Sequence, residues 1–380
     1  MEVLSKLPDV GITIFTKMSK MANAYDAINL SQGFPDFPVD PQLIDLVHHY
    51  MKEGHNQYAP MPGHPVLREA ISTKTEHCYG WRPDVDQNIT VTCGAIEAIM
   101  SAISALINPG DEVIIMDPAY DAYEPIINLQ GAQAVGVPLR SIDYSIDWKL
   151  VWEAITDRTK MLIINSPHNP SGAVLSKEDL EALEDIVDET GLLLLSDEVY
   201  EHIVFDGAQH QSVLRSEDLR DHSIVVSSFG KTFHATGWRM GYLIAPEFLM
   251  TEIRKVHQYN TFTIHTPTQL AIADYLKDKS NYIEVSSMYQ EKRDFFLDVM
   301  KGSRFDPVPS HGTYFQLMNY SAISDQHDVE FADWLTQEVG VAAIPMSVFY
   351  QDKTDNKVLR FCFAKGEETL SAAAEKLCTL

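Results

Sequence analysis

Cysteine and long apolar runs are scarce in this chain. It has four cysteines among 380 residues, and no two of them have the C-x-x-C spacing of metal and redox sites. The longest apolar run, residues 98–107, contains two serines and falls short of the ~18 residues that a membrane-spanning helix requires. Residues 1–20 lack the basic and apolar regions of a secretory signal. We therefore expect a cytoplasmic protein with reduced thiols and no membrane partner.

Basic residues are also few. The chain has 29 lysines and arginines against 54 acidic residues, which gives a formal charge of −25. A protein this acidic repels the phosphate backbone, so nucleic acid is excluded as an expected partner. Lysines and arginines that lie beside polar motifs are therefore candidates for binding an anionic small molecule.

The order of helical and apolar segments predicts the fold class. Helical stretches alternate with short apolar runs that are often β-branched, as in α/β proteins with a largely parallel sheet. Ser176 and Gly191 have the positions of start and stop signals for a helix over residues 177–190. Seven strands are predicted, over residues 89–92, 112–116, 134–139, 161–165, 192–196, 224–228 and 241–245.

The pattern changes after about residue 280. A long amphipathic helix, residues 282–300, is followed by sparser strands near 313–318 and 357–364. We therefore predict two domains. The large domain covers residues 42–279, and a smaller α+β domain combines residues 1–41 with residues 280–380.

Polar motifs follow four of the predicted strands. In an open parallel sheet, ligands bind beyond the carboxyl ends of the strands, so these motifs are expected to form one site. The motifs are Cys93-Gly94-Ala95, the segment 165–172, Ser196-Asp197-Glu198-Val199-Tyr200, and Ser227-Ser228-Phe229-Gly230-Lys231-Thr232.

These residue types match the needs of a pyridine aldehyde phosphate. Such a group requires an amine for a Schiff base, an anion at its ring nitrogen and a cradle for its phosphate. Lys231 offers the amine and Asp197 the anion, while the start of the helix after Gly94 and the side chain of Arg239 could bind the phosphate. Taken singly, most such residues are a surface lysine, a helix-capping aspartate or a solvated arginine.

With these motifs in place, the sequence resembles the fold-type-I, class I and II aminotransferases, which depend on pyridoxal 5'-phosphate, and the match runs along nearly the whole chain. Each motif is weak alone, but the five occur in the order typical of the family. Within the family, the sequence most resembles the methionine and kynurenine (glutamine-type) aminotransferases. The motifs are Gln32-Gly33-Phe34-Pro35-Asp36-Phe37, Asn169-Pro170-Ser171-Gly172, Asp197-Glu198-Val199-Tyr200, Ser228-Phe229-Gly230-Lys231 and Leu359-Arg360-Phe361-Cys362-Phe363.

The resemblance implies how pyridoxal phosphate would be held. Lys231 would form the Schiff base and move the substrate proton, Asp197 would pair with the ring nitrogen, and Tyr200 would bond the ring oxygen. The other cofactor contacts implied are Asn169 at the ring oxygen, Tyr120 stacked on the ring, and Ser228, Arg239, Ala95 and Ile96 at the phosphate. No metal is implied.

The resemblance also implies substrate contacts and a homodimer. Arg360 would clamp the substrate α-carboxylate through a bidentate contact, with Gly33 and Asn169 beside it. Tyr58 would reach across a homodimer to the neighbour's phosphate. Ile12, or a residue near it, stands where the kynurenine branch carries tryptophan.

The activity implied is ping-pong transfer of an amino group from methionine, an aromatic or a glutamine-type amino acid to a 2-oxo acid. Methionine is favoured because no second arginine is apparent for a distal carboxylate. The alternative is a pyridoxal-phosphate cysteine-conjugate C–S β-lyase. A P-loop is excluded because position 225, where its first glycine would fall, is a valine.

We expect aromatic residues to form the wall around the substrate side chain, namely Phe15, Phe34, Tyr58, Tyr120, Tyr259 and Phe262.

Overall fold

The computed structural model describes residues 3–380, and a seven-stranded sheet lies at its centre. All neighbouring strands are parallel except Gly241–Ile244, which runs antiparallel to both of its neighbours. From edge to edge the strands are Ile89–Thr92, Gly241–Ile244, Ser223–Ser228, Leu193–Asp197, Thr159–Asn165, Glu112–Asp117 and Gln133–Pro138. The predicted α/β class with a mostly parallel seven-stranded sheet is confirmed.

Helices cover both faces of this sheet, which is why its central strands are buried along nearly their whole length and carry apolar runs in their middle. On one face, Ile115 and Val226 share a hydrophobic core with Ile99 of helix Gly94–Leu106 and Ile253 of helix Glu247–Asn260. On the other face, Ile114, Leu162 and Leu194 belong to the larger core. The polar residues at the strand ends are therefore left at one edge of a rigid layer.

The helix Lys177–Thr190 has the predicted bounds and caps. The Ser176 hydroxyl accepts a hydrogen bond from the Asp179 amide at 3.1 Å, and the Asp179 carboxylate accepts one from the Ser176 amide at 2.8 Å. Gly191 ends the helix with a φ of 67°, in the left-handed region that glycine adopts without strain.

The C-terminal part has a separate antiparallel sheet. Its strands are ordered Ile344–Pro345, Val358–Cys362, Phe315–Asn319 and Asp306–Pro307. The N-terminal strand Ile28–Asn29 pairs in parallel with Val341–Ala342 of the C-terminal part. The domain boundaries at residues 42 and 279 stay a prediction.

Two predicted bounds in this part were wrong. The helix expected over 282–300 is interrupted at Glu284, which separates Ser280–Ile283 from Val285–Val299. The strand expected from residue 313 begins at Phe315 because Thr313 has a φ of 65°, a conformation that a β-strand does not contain.

The remaining helices connect these strands or pack on the two sheets. No helix within residues 3–380 has both the length and the apolar character needed to cross a membrane. The remaining helices that connect the strands or pack on the sheets are Ile14–Ala24, Pro41–Lys52, Pro65–Tyr79, Tyr123–Leu129, Trp148–Ala154, Glu217–Arg220, Phe229–Thr232, Thr266–Tyr275, Asp328–Trp334 and Glu367–Leu377.

Candidate active site

The carboxyl ends of the central strands open into a cavity of about 110 Å³. Nine of the residues singled out in the sequence line it, which brings together motifs spread over 145 positions from Ala95 to Arg239. The lining residues are Ala95, Ile96, Ile99, Tyr120, Asn165, Asn169, Asp197, Val199, Tyr200, Ser228, Lys231 and Arg239.

Lys231 stands on the short helix Phe229–Thr232 that follows the strand Ser223–Ser228. Its Nζ donates a hydrogen bond to the Tyr314 hydroxyl at 2.8 Å and lies 5.5 Å from the ring centre of Tyr200. Burial lowers the pKa of the Lys231 amine to about 8. The lower pKa increases the unprotonated fraction of the amine near neutral pH, which is the form that a nucleophile or base requires.

Asp197 ends the neighbouring strand and is buried. The Tyr123 hydroxyl donates to its Oδ2 at 2.6 Å, and the Val199 amide donates to its Oδ1 at 3.3 Å. Burial raises the pKa of the Asp197 carboxyl to about 6. Since no cation in the described part of the chain forms an ion pair with it, this carboxylate suits a protonated ring nitrogen.

The helix Gly94–Leu106 contributes its first turn, Ala95 and Ile96, to the cavity wall. Amides in the first turn of a helix lack partners within the helix, so this end favours an anion. Gly94 has a φ of 72°, and a side chain there would collide with the guanidinium of Arg239. The close approach of Arg239 to the helix start, with Ser228 beside it, has the chemistry of a phosphate cradle.

Arg360, in the strand Val358–Cys362, is 1% exposed. Its Nη1 donates to Asn169 Oδ1 at 2.6 Å, whereas Nε and Nη2 are buried without a hydrogen-bond partner. The guanidinium carbon lies 3.8 Å from the ring centre of Phe315 and 5.1 Å from that of Phe349. A buried guanidinium with two unpartnered donors suits an incoming carboxylate.

Gly33 lies beside Arg360's strand rather than in the cavity wall. Its carbonyl accepts a hydrogen bond from the Tyr314 hydroxyl at 2.5 Å. An added Cβ would stand 3.0 Å from the Phe315 ring, so the close approach of the backbone favours glycine here. The structure thus connects Gly33 with Lys231 through one tyrosine.

A wider mouth of about 710 Å³ shares Ile96 and Tyr120 with the cavity. Phe15, Phe349 and the exposed Ile12 form part of its apolar wall. Its charged lining residues are Asp9, Asp121, Glu124 and Lys353.

Within one chain, the structure places four of the six expected aromatic residues outside both the cavity and the mouth, namely Phe34, Tyr58, Tyr259 and Phe262. Tyr58 is 81% exposed and packs against Phe262 with ring centres 5.4 Å apart, and Tyr259 is 87% exposed. The expectation that all six aromatic residues form the wall around the substrate side chain is therefore wrong for a single chain. Tyr120 lines the cavity, and Phe15 lines the mouth.

Sequence reasoning missed Tyr123 and Tyr314, and it gave no individual role to Asn165. Asn165 is the first residue of the predicted polar segment 165–172, and its Nδ2 donates to the Asp197 carbonyl at 2.8 Å. Tyr123 and Tyr314 belong to no motif that we recognised, and their hydroxyl contacts with Asp197 and Lys231 arise from the tertiary structure.

Comparison with known proteins identifies the family of this chain. The family model "Aminotransferase class I and II" matches residues 25–377. Methionine aminotransferase of Escherichia coli (strain K12) is 50% identical over 374 residues, which cover 98% of this chain and 97% of that protein. Kynurenine–oxoglutarate transaminase 1 of Homo sapiens is 31% identical, covering 98% and 96%.

The solved structures agree in fold. The crystal structure of YbdL from Escherichia coli, reported with a methionine aminotransferase function, superposes with a TM-score of 0.98 at 49% identity and covers 100% of both chains. The resemblance seen in the motifs is confirmed. The chain therefore belongs to the class I and II aminotransferases, a family that depends on pyridoxal phosphate.

Proposed function

We propose that this aminotransferase takes the amino group from methionine, and from aromatic or glutamine-type amino acids, and passes it to a 2-oxo acid. The observation that carries the proposal is the buried guanidinium of Arg360, whose Nε and Nη2 are unpartnered and can bind one α-carboxylate. The methionine aminotransferase of Escherichia coli, 50% identical to this chain, supports the same substrate.

Pyridoxal phosphate, when bound, supplies an electron sink for the electrons left after the α-proton is removed. Lys231 is the residue proposed to hold it covalently, and Asp197 would keep its ring nitrogen protonated. Tyr200 and Asn169 would bond the ring oxygen, and the ring of Tyr120 would cover one face. The phosphate would be bound by Ser228, Arg239, Ala95 and Ile96, which line the same cavity.

The proton transfer is assigned to Lys231 Nζ. Its pKa near 8 allows the amine to accept the α-proton at neutral pH and to return it as an acid. Arg360 and Asn169 would fix the α-carboxylate at the other end of the substrate, because their side chains already contact each other at 2.6 Å. Gly33 would lie beside that carboxylate.

The preference for an apolar side chain follows from the mouth of the site. Its lining residues include three carboxylates, Asp9, Asp121 and Glu124, and one cation, Lys353. A distal carboxylate buried there without a partner would cost several kcal/mol, whereas an apolar side chain gains ~25 cal/mol per Å² buried. We therefore expect methionine to be favoured and aspartate to be a poor substrate.

Tyr58 is the basis for proposing a homodimer. Its ring is exposed beside Phe262 and lies outside the cavity of its own chain. An exposed aromatic pair is typical of a surface that another protein covers, and the resemblance implies that Tyr58 would bind the neighbour's phosphate.

Half-reactions of the purified holoenzyme with methionine, phenylalanine, glutamine, kynurenine and aspartate test this function. The spectrum of the bound cofactor reports each amino transfer, and kcat/KM ranks the donors. We expect methionine first and aspartate last. Aspartate outranking methionine would refute the substrate assignment, and pyruvate with ammonia from a cysteine conjugate would favour the β-lyase alternative.

The Lys231→Ala variant tests the central residue of the same proposal. It should lose the absorption of the lysine-linked cofactor and nearly all transamination, because a positioned base contributes ~10²–10⁴-fold to the rate. A variant that kept this absorption and near-normal turnover would show that another amine does the chemistry.

A further inference from the structure

We propose that Tyr314 is a positioning residue of this enzyme: its hydroxyl oxygen holds the Lys231 amine where that amine exchanges a proton with the substrate. The inference rests on the proposed function of Lys231. Tyr314 is not part of any motif described above, and it lies just before the C-terminal strand Phe315–Asn319 rather than in the large sheet.

A second hydrogen bond determines which group is the donor in the contact between Lys231 and Tyr314. The Tyr314 hydroxyl donates its hydrogen to the Gly33 carbonyl at 2.5 Å, and a carbonyl can only accept. The phenolic oxygen therefore faces Lys231 Nζ as an acceptor, 2.8 Å away. One N–H of the amine is directed at Tyr314, and the remaining positions on nitrogen are left to face the cavity.

The phenol is held rigidly in this place. Tyr314 is buried, and its ring meets those of Tyr200, Phe315 and Tyr289 at centre distances of 5.1, 4.9 and 5.7 Å. Aromatic neighbours at such distances pack favourably and restrict the ring. A lysine side chain is flexible, so a fixed acceptor at its tip reduces the number of orientations that the amine can adopt.

The contact also changes the acid strength of the amine. An oxygen that can only accept stabilises the ammonium form more than the neutral form, because the ammonium is the stronger donor. Tyr314 thus opposes the effect of burial on Lys231. Burial raises the pKa of the Tyr314 phenol well above its usual range, so the hydroxyl keeps its hydrogen throughout the working pH range.

The Tyr314→Phe variant tests this role, with Tyr289→Phe as the matched control. Tyr289 is a buried member of the same aromatic cluster, but its hydroxyl bonds His234 Nδ1 at 2.9 Å instead of Lys231. The first readout is the pH dependence of acetylation of Lys231 in the full-length, cofactor-free protein, followed by mass spectrometry. The second is the rate of α-proton removal from methionine by the holoenzyme in a single turnover.

In Tyr314→Phe, we expect the midpoint of Lys231 acetylation to fall by about 0.5–1 pH unit and α-proton removal to slow about tenfold. Tyr289→Phe should match wild type in both. The proposal is overturned if Tyr314→Phe leaves the midpoint unchanged, or if Tyr289→Phe shifts it equally, since the effect would then be one of general packing.

Two further experiments separate a positioning role of Tyr314 from a loss of folding and from a wrong assignment of Lys231. If Tyr314→Phe unfolds, fluorotyrosine incorporated at position 314 keeps the shape but weakens the acceptor, so the same downward shift is expected and its absence refutes the role. The Lys231→Ala experiment decides separately whether Lys231 is the functional amine. The acetylation midpoint needs no activity, so the two failures are distinguishable.

Discussion

Replacing Arg360 by methionine should abolish recognition of the α-carboxylate while leaving the stability of the fold nearly unchanged. The guanidinium offers two unpartnered N–H-bearing nitrogens, Nε and Nη2, to the substrate. Hydrogen bonds between charged groups contribute ~1.5–3 kcal/mol each, so losing two costs about 3–6 kcal/mol. At ~1.4 kcal/mol for each factor of ten, kcat/KM for methionine should fall ~10²–10⁴-fold.

The stability should respond differently because Arg360 lacks a counter-ion among the described residues. Replacing a buried charge by an apolar side chain of similar volume is often neutral or stabilising by ~1–4 kcal/mol. Against this, the variant loses the contact with Asn169 and the stacking on Phe315, each worth roughly 1–2 kcal/mol. We expect the free energy of unfolding, measured in urea, to change by no more than ~2 kcal/mol.

Arg293→Met is the matched control for this prediction. Arg293 is also buried, but its guanidinium pairs with Asp206 and Asp294 at 2.7 Å. This variant should lose ~1–3 kcal/mol of unfolding free energy and keep its kcat/KM. The reasoning fails if Arg360→Met loses as much activity towards 3-(methylthio)propylamine, which has no carboxylate, as it loses towards methionine.

Three further perturbations address other parts of the molecule. Asp197→Asn should still bind the cofactor but slow α-proton removal in single-turnover kinetics, because a neutral amide no longer favours a protonated ring nitrogen; a wild-type rate would contradict the role. In hybrid dimers of one Tyr58→Phe and one Lys231→Ala subunit, a shared active site should carry either both substitutions or neither. An activity equal to the average of the two homodimeric variants would instead indicate that each subunit forms its active site alone. Lys74→Met should lose ~3–5 kcal/mol of unfolding free energy at pH 7, because it leaves Glu201 buried without the ammonium now 2.8 Å away. Burial alone would raise the pKa of the Glu201 carboxyl, but Lys74 lowers it. The pair therefore stabilises the fold above the pKa of glutamate in the unfolded chain, and this stabilisation is lost as the pH falls. In urea titrations at decreasing pH, the difference in unfolding free energy between Lys74→Met and wild type should therefore narrow.

The sequence by itself determined the sheet and the order of its motifs. Strands such as 89–92 and the helix 177–190 are specified by local patterns, namely apolar runs, the Ser176 cap and the Gly191 stop. Parallel strands place their carboxyl ends at one edge, so the positions of Asp197 and Lys231 at the ends of two strands are sufficient to predict that they share one cavity. Local sequence is sufficient here because each signal lies within a few residues of the element that it specifies.

Only the tertiary structure decided which groups complete the site. Tyr314 contacts Lys231 from 83 positions away and Gly33 from 281 positions away, and no periodicity or turn signal records such a contact. The ring of Phe315 over Arg360 likewise depends on the pairing of two C-terminal strands. An aromatic side chain has the same chemistry in a core, at a mouth or on an exposed surface, which is why only the packing of the chain distinguishes Tyr58 from Phe15.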